Sequence, residues 1–438
     1  MPSRGCGLGL GVRTRLLGCP HHDRKLNLAD NHGRIRAQNC SPARSTGSND
    51  PAKPSFSEIP MRDVIRSMCV KPSAFAGYLA ITSIAMTATA VAHVKWFVNC
   101  TVSDNPLPVQ AVLTTRFFLF LVLFLTLFYL ACMAERTMVG AMLLRLLDRC
   151  TEPLHDRADE MLRAAAAVFF ALLWAQGGLI LTPELTARSI SISATQLLIP
   201  ICLFARATLP AAGAGIIMLY GYGVVDYGLF HMLDYPVFLG LGAYFILSVS
   251  QNAGFLPFRY HLLRWTAAFS LLWPSMEKFV YPSWIAAITT VHPELTLGFP
   301  VATVITAAGV VEFGLSFALF WTPLVRRLAA LVLILLLTAA TFDFGKVDGI
   351  GHLILIAILF VVLADPAGKP ARCRAVFAPL LSSVALLATI CLYTGGHRLY
   401  YGSKSAGLEP YALGVLMLVG LGVAAWLRMR RRPSPAEA

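Results

Sequence analysis

The chain has 438 residues, of which 57% are hydrophobic and 13% charged, with a mean hydropathy of +0.66 and a formal net charge of +13. A soluble domain carries about 25% charged residues, so a soluble enzyme, a disordered chain and a secreted disulfide scaffold are excluded. A helical span takes about 20 apolar residues, and the reading is an all-α polytopic integral membrane helix bundle of about twelve transmembrane helices with the lipid bilayer as its first partner.

The segment 1–70 stands apart. From Met1 to Pro60 it holds nine Lys/Arg against four Asp/Glu, with many Gly, Ser and Pro and no apolar run long enough to span. It reads as a basic, disordered cytoplasmic tail, or as an over-read start with Met61 or Met68 as the true beginning. It lacks the amphipathic pattern of a transit peptide.

Twelve spans follow, at 73–97, 111–133, 161–182, 190–208, 210–228, 233–252, 261–281, 300–321, 325–343, 350–366, 373–393 and 410–427. Arg206 and Pro210 crowd the junction of the fourth and fifth. Loop charge alternates. Loop 134–160 carries Arg136, Arg145, Arg149 and Arg157. Later loops on the same side carry Arg206, then Arg259 and Arg264, then Arg326 and Arg327, then Lys369, Arg372 and Arg374. Loops 98–110 and 282–299 carry no Lys or Arg. By the positive-inside rule both termini, including the basic tail 428–438, are cytoplasmic, and a bacterial-type inner membrane is the expected compartment. With the charge excess so explained and no basic patch interleaved with aromatics, nucleic acid is not a partner.

A tandem repeat is expected at the centre. ALLWAQGGLILTPEL from Ala171 and SLLWPSMEKFVYPSW from Ser270 share LLW with a Pro nine residues after the Trp, and DYG at Asp226 echoes DFG at Asp343. This gives parallel four-helix repeats at 161–253 and 261–366, flanked by helix pairs at 72–133 and 372–427.

Chemistry is sought among ionisable groups in or beside spans, which are costly there and a functional hypothesis by default. Glu312 is the deepest. His93, Lys95, Asp226, His231, Asp234, Glu277, Lys278, Asp343, Lys346, Asp348, His292, His352 and His397 gather toward the non-cytoplasmic face. Either they form an interfacial layer, with lysines snorkelling, or they build a quinone or proton-transfer site near that face. Quinone chemistry needs a hydrogen-bond partner for each ring oxygen and a proton carrier. Glu312, Glu277, Asp343 and His352 are the candidates for that role. Lys278 is placed among the ligand-binding residues, and Trp273, Phe279, Tyr281 and Phe342 either flank a ring or belong to the interfacial aromatic belt. Glu277 and Lys278 are sequence neighbours and point about 100° apart on a helix, so Lys278 is expected to pair across helices with Glu312 or Asp343. His231, Asp234, Asp348 and His352 share a side, but no close ligand spacing such as HxxxH accompanies them, and no metal ligands are assigned. No haem, flavin or iron–sulfur motif is seen, and none of the ten cysteines forms a CxxC pair.

The segment 261–366 resembles the DoxX-like family of small four-helix membrane proteins. Arg264 precedes SMEKFVYP, which keeps the family's Lys278, Phe279 and Pro282 with Ser275 in place of Gly. GVVEFG matches the second-helix signature through Gly309, Glu312 and Gly314, and Arg327 with LAALVLILLLTAA matches the third helix. The first repeat lacks the signature, having Leu179 and Ile180 at those positions. The resemblance implies quinone as cofactor and a membrane or quinone-site subunit of a quinone-linked oxidoreductase, with the electron donor on a redox partner subunit. Two other classes stand beside it: a small-molecule or ion transporter, and a non-catalytic assembly factor or scaffold.

Overall fold

The structure is a computed structural model that describes residues 94–98, 100, 103–187, 189–250, 255–366 and 374–402. The expectations for the tail 1–70, for His93, for most of the first span, for the span 410–427 and for the tail 428–438 lie outside those residues.

The described chain is helical. No strand forms among the described residues, where one isolated bridge joins Leu179 and Thr186. Its principal helices are α1 Thr115–Ala134, α2 Met138–Asp156, α3 Ala158–Gln176, α4 Ile190–Leu203, α5 Leu209–Tyr227, α6 Val237–Leu247, α7 Phe255–Ser275, α8 Pro282–Val291, α9 Val301–Ala318, α10 Pro323–Phe344, α11 Lys346–Ala364 and α12 Arg374–Tyr401. Six are long and apolar enough to cross a membrane: α1, α5 with the turn before it, α9, α10, α11 and Phe377–Tyr401 of α12. α3 and α7 coincide with expected spans but carry charged first turns or histidine and arginine. α4 and α6 are shorter than the spans assigned to them, so the six do not extend to the full expected set.

Two helices occupy stretches read as loops. α2 fills 134–160 because its inward side chains recur at helical spacing, Leu143, Leu147 and Thr151 falling on one face while Arg145, Leu146 and Arg149 face outward. It is too polar to register as a span. α8 fills part of 282–299, opened by Pro282, whose fixed φ suits a first helical position. The expected span 261–281 is interrupted: α7 ends at Ser275 and a single helical turn, Glu277–Val280, follows. The DYG and DFG triplets both close a helix. Gly228 caps α5 at φ 84° and Gly345 caps α10 at φ 78°, left-handed values that glycine adopts without a Cβ clash.

Side-chain contacts order the ends of these helices into two layers. At one, Arg327 on α10 reaches Asp148 on α2 at 2.5 Å, Thr151 at 2.9 Å and the carbonyl of Leu363 on α11 at 2.7 Å. Arg259 meets Asp159 at 2.9 Å, Arg326 meets Asp365 at 3.1 Å, and Arg163 donates to the Leu203 carbonyl at 2.6 and 2.8 Å. This arginine end gathers the loops singled out by their positive charge. The opposite end gathers most of the acids and histidines described next.

Candidate functional site

Lys95 sits in a short 3-10 turn, Val94–Trp96, with its side chain buried. Its Nζ lies 2.5 Å from Asp234 Oδ2 and 2.6 Å from Glu277 Oε1. Asp234 precedes α6 and Glu277 follows α7, so one lysine clamps two carboxylates from separate helix ends. The Tyr393 hydroxyl of α12 donates to the same Glu277 oxygen at 3.4 Å. Beside this lies a second set. His231 Nε2 is 2.8 Å from Glu184 Oε1, and the Tyr235 hydroxyl donates to that oxygen. Trp96 Nε1 in turn donates to the Tyr235 oxygen at 3.2 Å, linking the two sets through adjacent residues 95 and 96.

Glu184 lies in the segment joining α3 to α4. Burial pushes its carboxyl up, but the hydrogen bond with His231 and the charge of Lys95 outweigh this and hold it below the usual carboxylate range. Counted together, three carboxylates, Asp234 and Glu277 buried and Glu184 partly so, face Lys95 and the imidazole of His231. Uncompensated charge is strongly disfavoured in such a setting, so the network has the balance of a site that takes up a proton or a cation.

Aromatic rings wall the Glu277 side. Trp273 and Tyr393 lie 5.0 Å apart by ring centroids, Tyr281 stacks on Trp284 at 4.0 Å, and Tyr281 approaches Tyr393 at 6.4 Å and His397 at 6.2 Å. These rings are buried among helix ends.

The residues picked from sequence separate as follows. Glu277, Trp273 and Tyr281 come together in the network and its wall. His352 pairs with Asp348 one helical turn away on α11, Nδ1 to carboxylate at 2.9 Å, and its ring lies 4.8 Å from Trp96, which places it beside the network. Lys278 turns away from Glu277 and forms an ion pair with Glu312 of α9, as the helical geometry of adjacent residues requires. Phe279 packs on Phe117 at 5.6 Å. Asp343 and Phe342 are exposed at the end of α10, Phe342 at 84%, and are not brought to the network. Asp343 therefore has no part in the lysine pairing. Lys95, His231 and Asp234 were visible in sequence as groups on one face without a sign of which contacts they make. Glu184, Tyr235 and Tyr393 were not singled out. The only sequence signal for Glu184 is an acid after Pro183 in a short polar break between apolar segments. Comparison with family models, curated proteins and solved structures returns no match.

Proposed function

We propose that the chain is a DoxX-like integral membrane protein that supports quinone-linked electron transfer as a quinone-site subunit. In this reading it has twelve spans with tandem four-helix repeats and lies in a bacterial-type inner membrane with both termini cytoplasmic. The observation that carries it is the environment of Glu277. One oxygen of this buried carboxylate receives both the Lys95 ammonium at 2.6 Å and the Tyr393 hydroxyl at 3.4 Å, beside the rings of Trp273 and Tyr281. A quinone needs an apolar wall for its ring and groups that donate hydrogen bonds and protons to its oxygens. Tyr393 and Lys95 are the donors, and Glu277 is the carboxylate through which a proton passes. A bound quinone would be reduced to quinol with two electrons from a redox partner subunit, and this network would supply the two protons. His352, with Asp348 behind it, is the nearest further imidazole. Lys278 and Glu312 pair with each other and serve by holding the turn that carries Glu277. The network sits at helix ends, and a transporter site is expected near the middle of the spans, which weighs against the transporter reading.

The test is a reduced-minus-oxidised ultraviolet spectrum of the purified protein loaded with ubiquinone. Quinone bound by wild-type protein and lost at least tenfold in Glu277→Gln, with equal folded yield, supports the reading. Equal quinone retention by both proteins overturns it.

A further inference from the structure

The geometry points to a metal site built from Glu184, His231 and Asp234 that takes one divalent transition-metal cation such as Zn²⁺, Mn²⁺ or Fe²⁺. One ligand atom from each of these residues lies within 4.8 Å of the others. Glu184 comes from the α3–α4 segment, His231 from within the short turn Leu229–Met232 and Asp234 from just after it, so the fold joins two distant stretches of sequence. An imidazole nitrogen with two carboxylate oxygens is a donor set these ions accept, and an ion entering between them would replace the direct His231–Glu184 hydrogen bond.

Three observations beyond proximity favour an ion there. Asp234 divides its carboxylate: Oδ2 meets Lys95, while Oδ1 is buried with no hydrogen-bond partner. A buried carboxylate oxygen without a donor is costly, and a cation is the ligand that satisfies it without displacing Lys95. The charge also fits. Three carboxyl groups, Glu184, Asp234 and Glu277, gather around the single Lys95 ammonium and the His231 ring, and a divalent ion supplies further positive charge to them. Finally, a cavity with room for about one water is lined by Trp96, Thr182, Asp234 and Tyr235. The Thr182 hydroxyl there is buried without a hydrogen-bond partner, so a water completing the ion's coordination has a protein acceptor waiting. Tyr235, which donates to Glu184 and accepts from Trp96, is the outer group that orients the Glu184 ligand. This inference stands apart from the quinone reading, whose centre is Glu277.

The test uses the full chain, purified in detergent and stripped with a chelator, titrated with Co²⁺ alone. Wild-type protein is expected to bind about one Co²⁺ per chain with a visible ligand-field band. His231→Ala should lose the band. Tyr235→Phe removes a hydroxyl only, and should keep the band with affinity about 10- to 100-fold weaker, the effect typical of losing an outer-shell partner. His292→Ala, which deletes the exposed His292–Glu294 pair, should change nothing. No stoichiometric binding by monodisperse wild-type protein overturns the site, as does a band that survives His231→Ala or vanishes in His292→Ala. The wild-type and Tyr235→Phe titrations decide the matter even if His231→Ala fails to fold. The quinone spectrum is recorded without cobalt, so the two proposals fail separately.

Discussion

At the scale of single residues, the Lys278–Glu312 pair separates architecture from chemistry. Both side chains are nearly inaccessible, at 1% and 8%. Removing one partner of a buried pair strands the other charge and costs about 3–5 kcal/mol, whereas replacing both with apolar groups of similar volume is often neutral. Lys278→Ala is therefore expected to lower the melting temperature sharply and to cut folded yield. Lys278→Met combined with Glu312→Leu should recover most of the loss. If the double variant melts as low as Lys278→Ala, the pair's contribution is more than mutual charge compensation. Quinone binding that survives in the double variant would assign the pair to support of the Glu277 turn, and its loss would return Glu312 to the chemistry.

At the scale of elements, helix packing depends on positions where no side chain fits. Gly213 of α5 faces α6 so closely that an added Cβ would stand 2.4 Å from the carbonyl oxygen of Gly242. That neighbour is backbone and has no rotamer to yield. Gly213→Val is expected to push α5 and α6 apart and to destabilise by about 1–3 kcal/mol, the usual cost of overpacking, read as a lower melting temperature in detergent. A Gly221→Ala control, where a Cβ meets nothing within 4 Å, should melt like the wild type. An unchanged melting point for Gly213→Val would deny the crossing. Apolar runs such as α1, α9, α10 and α11 were legible in sequence because length and hydropathy alone define them. α2 and α8 were not, since their inward faces are interleaved with charge or shortened by proline and lack the run that marks a span. The candidate site was legible in part for a related reason. An ionisable residue beside an apolar run announces itself, as Glu277, Asp234 and His231 did. Which of them meet is fixed by how separate segments dock, and no spacing along the chain encodes that Lys95 reaches both residue 234 and residue 277. Lys278 is a partial exception, because the direction of adjacent helical side chains turns it away from Glu277 and leaves only Glu312 and Asp343 as expected partners, between which the structure selects Glu312.

At the scale of the whole molecule, charge is sorted between two ends. α10 runs from Arg327, which holds Asp148 of α2, to Phe344, whose ring meets His292 at 5.2 Å and stacks on Phe97 beside the Lys95 turn. The whole helix, Pro323–Phe344, has 22 residues and spans about 33 Å at 1.5 Å per residue, with about 26 Å between Arg327 and Phe344, comparable with the roughly 30 Å of a bilayer's hydrocarbon core. The arginine end and the network end are thus separated by one membrane thickness. Two positions report on them. Cys150 on α2 is exposed at the arginine end, and Glu294, 64% exposed in the turn after α8, lies at the other. In a background without other cysteines, protein bearing Cys150 alone and protein bearing Glu294→Cys alone should react differently with a membrane-impermeant maleimide on intact cells. The substituted position 294 is expected to label at once and Cys150 only after permeabilisation, since positive loops stay cytoplasmic. The reverse pattern would keep the crossing and invert the orientation, placing the Lys95 network against the cytoplasm. Equal labelling of both positions from outside would mean that α10 does not carry the chain across a bilayer. The assignment of the two charged ends to opposite membrane faces would then fall, and with it the placement of the quinone site near one leaflet.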